Sequence, residues 1–156
     1  MSQRTIKSQR TIKVAGALGV LAISGTVLSA PAMADEYVGP NGSISAACSG
    51  KQIATGRLYD AKGTAHATAR WRLYSSAAKG GTRCLQVWDG TTGSHTMAAM
   101  IRPAEQFHDG AKKAGPVKEK TSAVSLTGVG KQCIGFTAEL TDRAFYQRNV
   151  NSYGCN

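Results

Sequence analysis

The chain has 156 residues, is 42% hydrophobic and carries a formal charge of +10. That length leaves room for one domain with a real core. The charge favours acidic partners, whether cell-wall polymers, anionic surfaces, extracellular nucleic acid or an acidic protein; a merely soluble basic surface is the plain alternative.

The first segment reads as an export signal. Arg4, Lys7, Arg10 and Lys13 form a positive n-region, residues 14–28 are apolar with Gly and Ser interruptions, and Ala32-Met33-Ala34 precedes Asp35. This order predicts a secretory signal peptide over residues 1–34, cleaved after Ala34. The uninterrupted apolar run falls short of the roughly 20 residues that a spanning helix needs, so no membrane span is expected in the mature chain. There is no Arg-Arg pair for twin-arginine export and no cysteine at the cleavage point for a lipid. SQRTIK occurs twice, at 2–7 and 8–13, inside the removed segment, and lengthens the n-region without making a structural repeat. The first 34 residues hold four Lys/Arg and no Asp/Glu, so +10 becomes +6 on the remaining 122 residues.

Residues 35–45 are polar and turn-rich and are expected to be a flexible mature N-terminus. The domain proper is expected over 46–156. Residues 56–60 are a short strand or turn. From 64 to 88 the pattern sharpens. Ala65, Ala67, Ala69, Trp71 and Leu73 alternate with Thr64, His66, Thr68, Arg70, Arg72 and Tyr74, which predicts a strand with one dry face and one wet, basic face. Small residues and Gly80-Gly81 then reverse the chain, and residues 82–88 return as a second strand. This long hairpin is the expected centre of the domain.

Residues 89–94 are a turn, 95–102 a strand or one helical turn ended by Pro103, and 104–115 a loop. Strands are expected at 116–120, 122–127, 132–140 and 144–153. On the third of these, Ile134, Phe136, Ala138 and Leu140 make the dry face. Strand-like runs between Gly-rich turns predict an all-β fold: a single small disulfide-stapled β-sandwich or barrel built around the central hairpin.

Cys48, Cys84, Cys133 and Cys155 all lie beyond residue 34. An even count in an exported chain predicts two disulfides. A metal site is not expected, because no two of these cysteines are spaced as a chelating pair. Three pairings are open, of which Cys48–Cys84 with Cys133–Cys155 has the shortest loops.

Several short motifs recur together. A cysteine follows Ala46-Ala47, an Arg-Cys strand follows a Gly-rich turn, Ala114-Gly115-Pro116-Val117 comes next, and Gly130-Lys131-Gln132-Cys133-Ile134 leads a strand. In this order the chain resembles the small secreted actinobacterial proteins called spore-associated protein A, over most of residues 47–136, with AGPV the most specific part. It departs from them in a longer C-terminal tail carrying Cys155. The resemblance implies an exported, cell- or spore-surface protein, and supplies no catalytic residues.

No catalytic signature stands out. His66 beside Arg70 and Arg72 suggests a ribonuclease-like cluster, but no matched carboxylate accompanies it. His95 has no G-x-S-x-G elbow to serve, and His108-Asp109 reads as a turn. No cofactor is expected. The primary expectation is a non-enzymatic secreted binding or structural protein whose partner is another secreted protein or an anionic cell-surface polymer. Nucleic acid is not the expected partner. The binding residues expected are His66, Arg70, Arg72 and Trp88, although Trp88 also fits a core edge packed on Cys84. Alternatives are an adaptor subunit of an extracellular, antibacterial toxin-like assembly, a small nuclease, or a protease inhibitor presenting residues 75–81 or 104–115.

Overall fold

A computed structural model of the chain describes residues 35–106 and 108–155. The expected signal peptide lies outside the described residues. The rest is all-β, in ten strands: β1 Glu36–Val38, β2 Gly42–Ser45, β3 Lys51–Tyr59, β4 Ala65–Ser76, β5 Thr82–Trp88, β6 His95–Pro103, β7 Ala111–Val117, β8 Ala123–Leu126, β9 Ile134–Thr141 and β10 Phe145–Tyr153. Among the described residues the one helical piece is a 3-10 turn, Ala78–Gly80, in the loop of the central hairpin.

The strands form one antiparallel sheet in the order β1-β7-β6-β9-β10-β3-β4-β5-β8-β2. Its two end strands are consecutive in sequence, and the loop between them ties both ends together. Gly39 N donates to Gly110 O beside β7, and Thr127 N donates to Asn41 O beyond β8. The sheet therefore curls into a nearly closed barrel, which leaves little exposed edge.

Alternation fills the interior. Trp71 and Leu73 of β4 meet Val87 and Leu85 of β5 in register, and Ala69 of β4 joins them in the core. From the opposite wall come Met97, Ala99 and Ile101 of β6 and Ile134, Phe136, Ala138 and Leu140 of β9. Trp71 is the largest side chain in this set. Its ring lies 4.8 Å from that of Phe136 and against Gly56, where an added Cβ would come within 2.7 Å of the indole. Gly56 is thus the space into which the tryptophan fits.

The shortest-loop pairing of cysteines is the one present: Cys48–Cys84 with Cα atoms 5.7 Å apart, and Cys133–Cys155 with Cα atoms 4.6 Å apart. Both separations are ordinary for disulfides. The first bond fastens a crossover. To pass from β2 to β3 the chain must cross β8, β5 and β4, about 19 Å at four strand spacings. The six Cα steps from Ser45 to Lys51 reach about 20 Å when extended. This strap is pinned by Cys84 and by Gln86 Nε2, which donates to Ala46 O at 3.2 Å.

Three expectations are corrected. Residues 35–45 are not a flexible lead-in but carry β1 and β2. β1 pairs with β7 and adds the ion pairs Asp35–Lys112 and Glu36–Lys113, while Ile44 of β2 packs on the core. Residues 111–115 are not loop but most of β7, held by ladders to β6 and β1 on either side. And His66 is buried at 8% exposure while Ala67 is exposed, the reverse of strict alternation.

The Trp71–Gly56 fit gives a direct expectation. Trp71→Ala should cost about 3–5 kcal/mol by leaving a ring-sized cavity. Gly56→Ala should cost about 1–3 kcal/mol by overpacking the indole, and Trp71→Phe in that background should recover part of the loss. Urea denaturation of the three variants measures each step.

Candidate functional site

The site begins with an irregularity in β4. His66 Nδ1 accepts the backbone N–H of Ala69 at 2.9 Å and that of Thr68 at 3.3 Å. Its ring packs edge-on against Tyr146, 4.7 Å away. The β3–β4 register shifts at the same place, between Arg57/Arg70 and Tyr59/Ala65. Five steps of β4 lie opposite two of β3, an irregular bulge with an odd number of extra residues that turns both His66 and Ala69 inward. After it, Ala69, Trp71 and Leu73 face the core, while Arg70, Arg72 and Tyr74 face outward.

On the outer face the register lines up a row. Arg57 of β3 is opposite Arg70 of β4, Arg70 is opposite Trp88 of β5, and Trp88 bridges to Lys120 beyond β7. Arg72, one row along, leans back so that its guanidinium carbon lies 4.5 Å from the Trp88 ring centroid. Lys120 Nζ lies 4.8 Å from the same centroid. Two cation–π contacts, each worth about 0.5–2 kcal/mol, hold these cations at one ring. Trp88 Nε1 is itself buried without an acceptor among the described residues, so the N–H edge of the indole faces away from the surface.

Among the described residues, no carboxylate forms an ion pair with Arg57, Arg70, Arg72 or Lys120; the ion pairs present involve His95, Lys112 and Lys113. Arg70 Nη1 instead donates to Ala69 O at 2.9 Å, which orients its guanidinium. The four charges are therefore not neutralised by the fold.

Of the four expected binding residues, the structure unites Arg70, Arg72 and Trp88. His66 is corrected: the bulge turns it inward and commits Nδ1 to the backbone, so it does not join the arginines on one face. Trp88 fits neither expectation fully. It is half-buried, covered by cations and not by Cys84, and is not a bare stacking platform. Arg57 and Lys120 were not singled out in the sequence, because their membership depends on cross-strand register.

A second polar cluster lies at the β5–β6 turn. Asp89 is 2% exposed; its carboxylate accepts from Thr68 Oγ1 at 2.6 Å, Thr91 Oγ1 at 2.6 Å and Thr91 N at 3.2 Å. His95 lies between Asp89 and Asp142, 3.6 Å from each, and meets Thr91 Oγ1 at 2.9 Å. Burial raises the Asp89 pKa, but the hydrogen bonds from Thr68 and Thr91, with the nearby His66, outweigh it and hold the carboxyl below the ordinary 3.8. This cluster staples the bulge of β4 to the turn after β5. Among the described residues, no group of three or more His, Cys, Asp or Glu is arranged to hold a metal ion.

Comparisons with protein-family models, curated proteins and solved structures return no match.

Because the folded Asp89 pKa is below its unfolded value, the stability it contributes is complete above about pH 4 and is lost as pH falls toward the folded pKa. Asp89→Asn should cost about 1–3 kcal/mol at neutral pH through its broken hydrogen bonds. It should also make the acid limb shallower, which melting temperatures from pH 7 down to pH 2 would register.

Proposed function

We propose that the chain is an exported, non-enzymatic binding protein whose outer face on β3, β4 and β5 engages an anionic partner at the cell or spore surface. One observation carries the reading: Arg57 and Arg70 stand in one row with Trp88, whose ring holds Arg72 and Lys120, and none of the four cations has a carboxylate partner among the described residues. Unpaired cations on a rigid sheet are preorganised for an external anion, since little side-chain or backbone order is lost on binding. Two disulfides fit an oxidising compartment outside the cell, and among the described residues no helix is long and apolar enough to cross a membrane. The signal-like N-terminus and the likeness to spore-associated protein A support the same placement. An adaptor role in a larger extracellular assembly would use this face toward an acidic protein subunit.

The test is binding of the mature chain to isolated cell-wall polymer and to poly-L-glutamate. Arg70→Gln/Arg72→Gln should weaken binding about tenfold or more at low salt, with the difference shrinking as salt rises. Trp88→Ala, which removes no charge, should also weaken it by releasing two cations from their ring. The double arginine variant should stay within about 2 kcal/mol of wild-type stability, and Trp88→Ala should lose about 1–4 kcal/mol with its two cation–π contacts while still unfolding cooperatively in urea. Unchanged affinity in the double arginine variant would sink the proposal.

A further inference from the structure

The cations of this face form a line, and the line runs across the strands. Arg57, Arg70, Trp88 and Lys120 are cross-strand partners in one register row, while the neighbouring row on β3, β4 and β5 is Thr55, Arg72 and Gln86. Arg72, the single cation of that second row, is drawn back over the Trp88 ring into the first. The outcome is a narrow track about 14 Å long, three strand spacings from Arg57 to Lys120.

We infer that this track takes a linear polyanion, an extended polymer with repeated phosphate or carboxylate groups, laid perpendicular to the strands. The inference rests on the reading of the face as anion-binding and specifies its ligand. Three observations separate a linear polymer from a folded acidic protein. First, Arg57 and Arg70 stand directly opposite each other, a like-charge pair that destabilises a sheet. An anion seated between them turns that repulsion into two attractions, and a chain with regular charges supplies one at each step. Second, the row carries no exposed large apolar side chain: those of the described residues are Tyr37, Val38, Ile53, Tyr59 and Phe145. A protein interface is anchored by a buried aromatic or aliphatic hot spot, and Trp88, the aromatic residue in the row, already has Arg72 and Lys120 at its ring. Third, the groove beside Cys133 and the one between the β4–β5 loop and Gly130 both lie away from the row. The row sits on the convex outside of the barrel, where a flexible chain can follow it.

The experiment measures affinity of the mature chain for polyphosphate and for poly-L-glutamate, each in graded lengths, beside a folded acidic protein of similar charge. Affinity should climb steeply until the polymer spans the track, then rise only slowly. The slope of log K against log salt should fall by nearly one for each of Arg57→Gln, Arg70→Gln and Lys120→Gln. Lys131→Gln, away from the row, should leave it unchanged; Arg57→Gln and Arg70→Gln should melt at or slightly above wild type by relieving the like-charge pair, Lys120→Gln slightly below by losing its cation–π contact, and Lys131→Gln as wild type. The polymer preferred identifies phosphate or carboxylate as the natural group. Binding of the folded acidic protein as tightly as the longest polymer, without length dependence, would overturn the linear ligand while leaving the anion-binding face intact. Loss of slope in Lys131→Gln equal to that in the row variants would overturn the track. No binding to any of the three would remove both readings.

Discussion

One hydrogen bond sets the orientation of the central strand: the backbone N–H of Ala69 to Nδ1 of His66, at 2.9 Å. Side chains of a strand alternate strictly, so a bulge with an odd number of extra residues exchanges its two faces from that point on. Before the bulge the inward residue is His66; after it the inward residues are Ala69, Trp71 and Leu73. Without the bulge, an inward His66 would place Arg70 and Arg72 against the core and expose Trp71. Burying two unpaired guanidinium groups is far costlier than a kink in a strand, so the imidazole serves by filling the bulge with an acceptor. Thr68, within the same bulge, donates to buried Asp89 and ties the irregularity to the end of β5, the strand that carries Trp88.

The closure of the sheet is the second constraint. Its end strands follow one another in sequence, so the chain must return from β2 at the edge to β3 in the middle, over the outside of three strands. A strap of nearly taut residues does this, and Cys48–Cys84 with Gln86 fastens it to β5. The strap shields the Cys84 and Gln86 positions of β5, both of which are buried although they face outward. Trp88, two residues further, remains half-exposed. The crossover therefore delimits the basic face at one end, and the Asp89 cluster delimits it at the other.

How far the sequence revealed this depended on whether side chains or backbone did the work. The hairpin of β4 and β5, and β9 with Ile134, Phe136, Ala138 and Leu140 inward, alternate with period two because one face is buried. β7 does not alternate legibly: Ala111, Lys112, Lys113, Ala114 and Gly115 are small or charged, and the strand exists because β6 and β1 hydrogen-bond to it from both sides. β1 and β2 are hidden for the same reason. The basic face was half legible. Alternation within β4 and β5 singled out Arg70, Arg72 and Trp88, whereas Arg57 and Lys120 join them through register, which no single strand encodes. His66 was misplaced because a bulge leaves the spacing of residues unchanged and alters only their direction.

That Arg57 opposes Arg70 across the β3–β4 ladder bears on why the scaffold is built as it is. A like-charge pair directly opposite in a sheet costs a few tenths to about 1 kcal/mol, and the cations that Trp88 holds add their own mutual repulsion, which the ring offsets in part. In a domain of marginal stability such a surface needs compensation from elsewhere. The compensation lies on the other side of the same strands. Trp71 and Leu73, which alternate with Arg70 and Arg72, are locked into Gly56, Phe136 and Leu85, and two disulfides restrict the unfolded chain by about 2–4 kcal/mol each. The dry face of β4 and its basic face are thus two halves of one arrangement, with the core holding in place a row of charges that would otherwise push the strands apart.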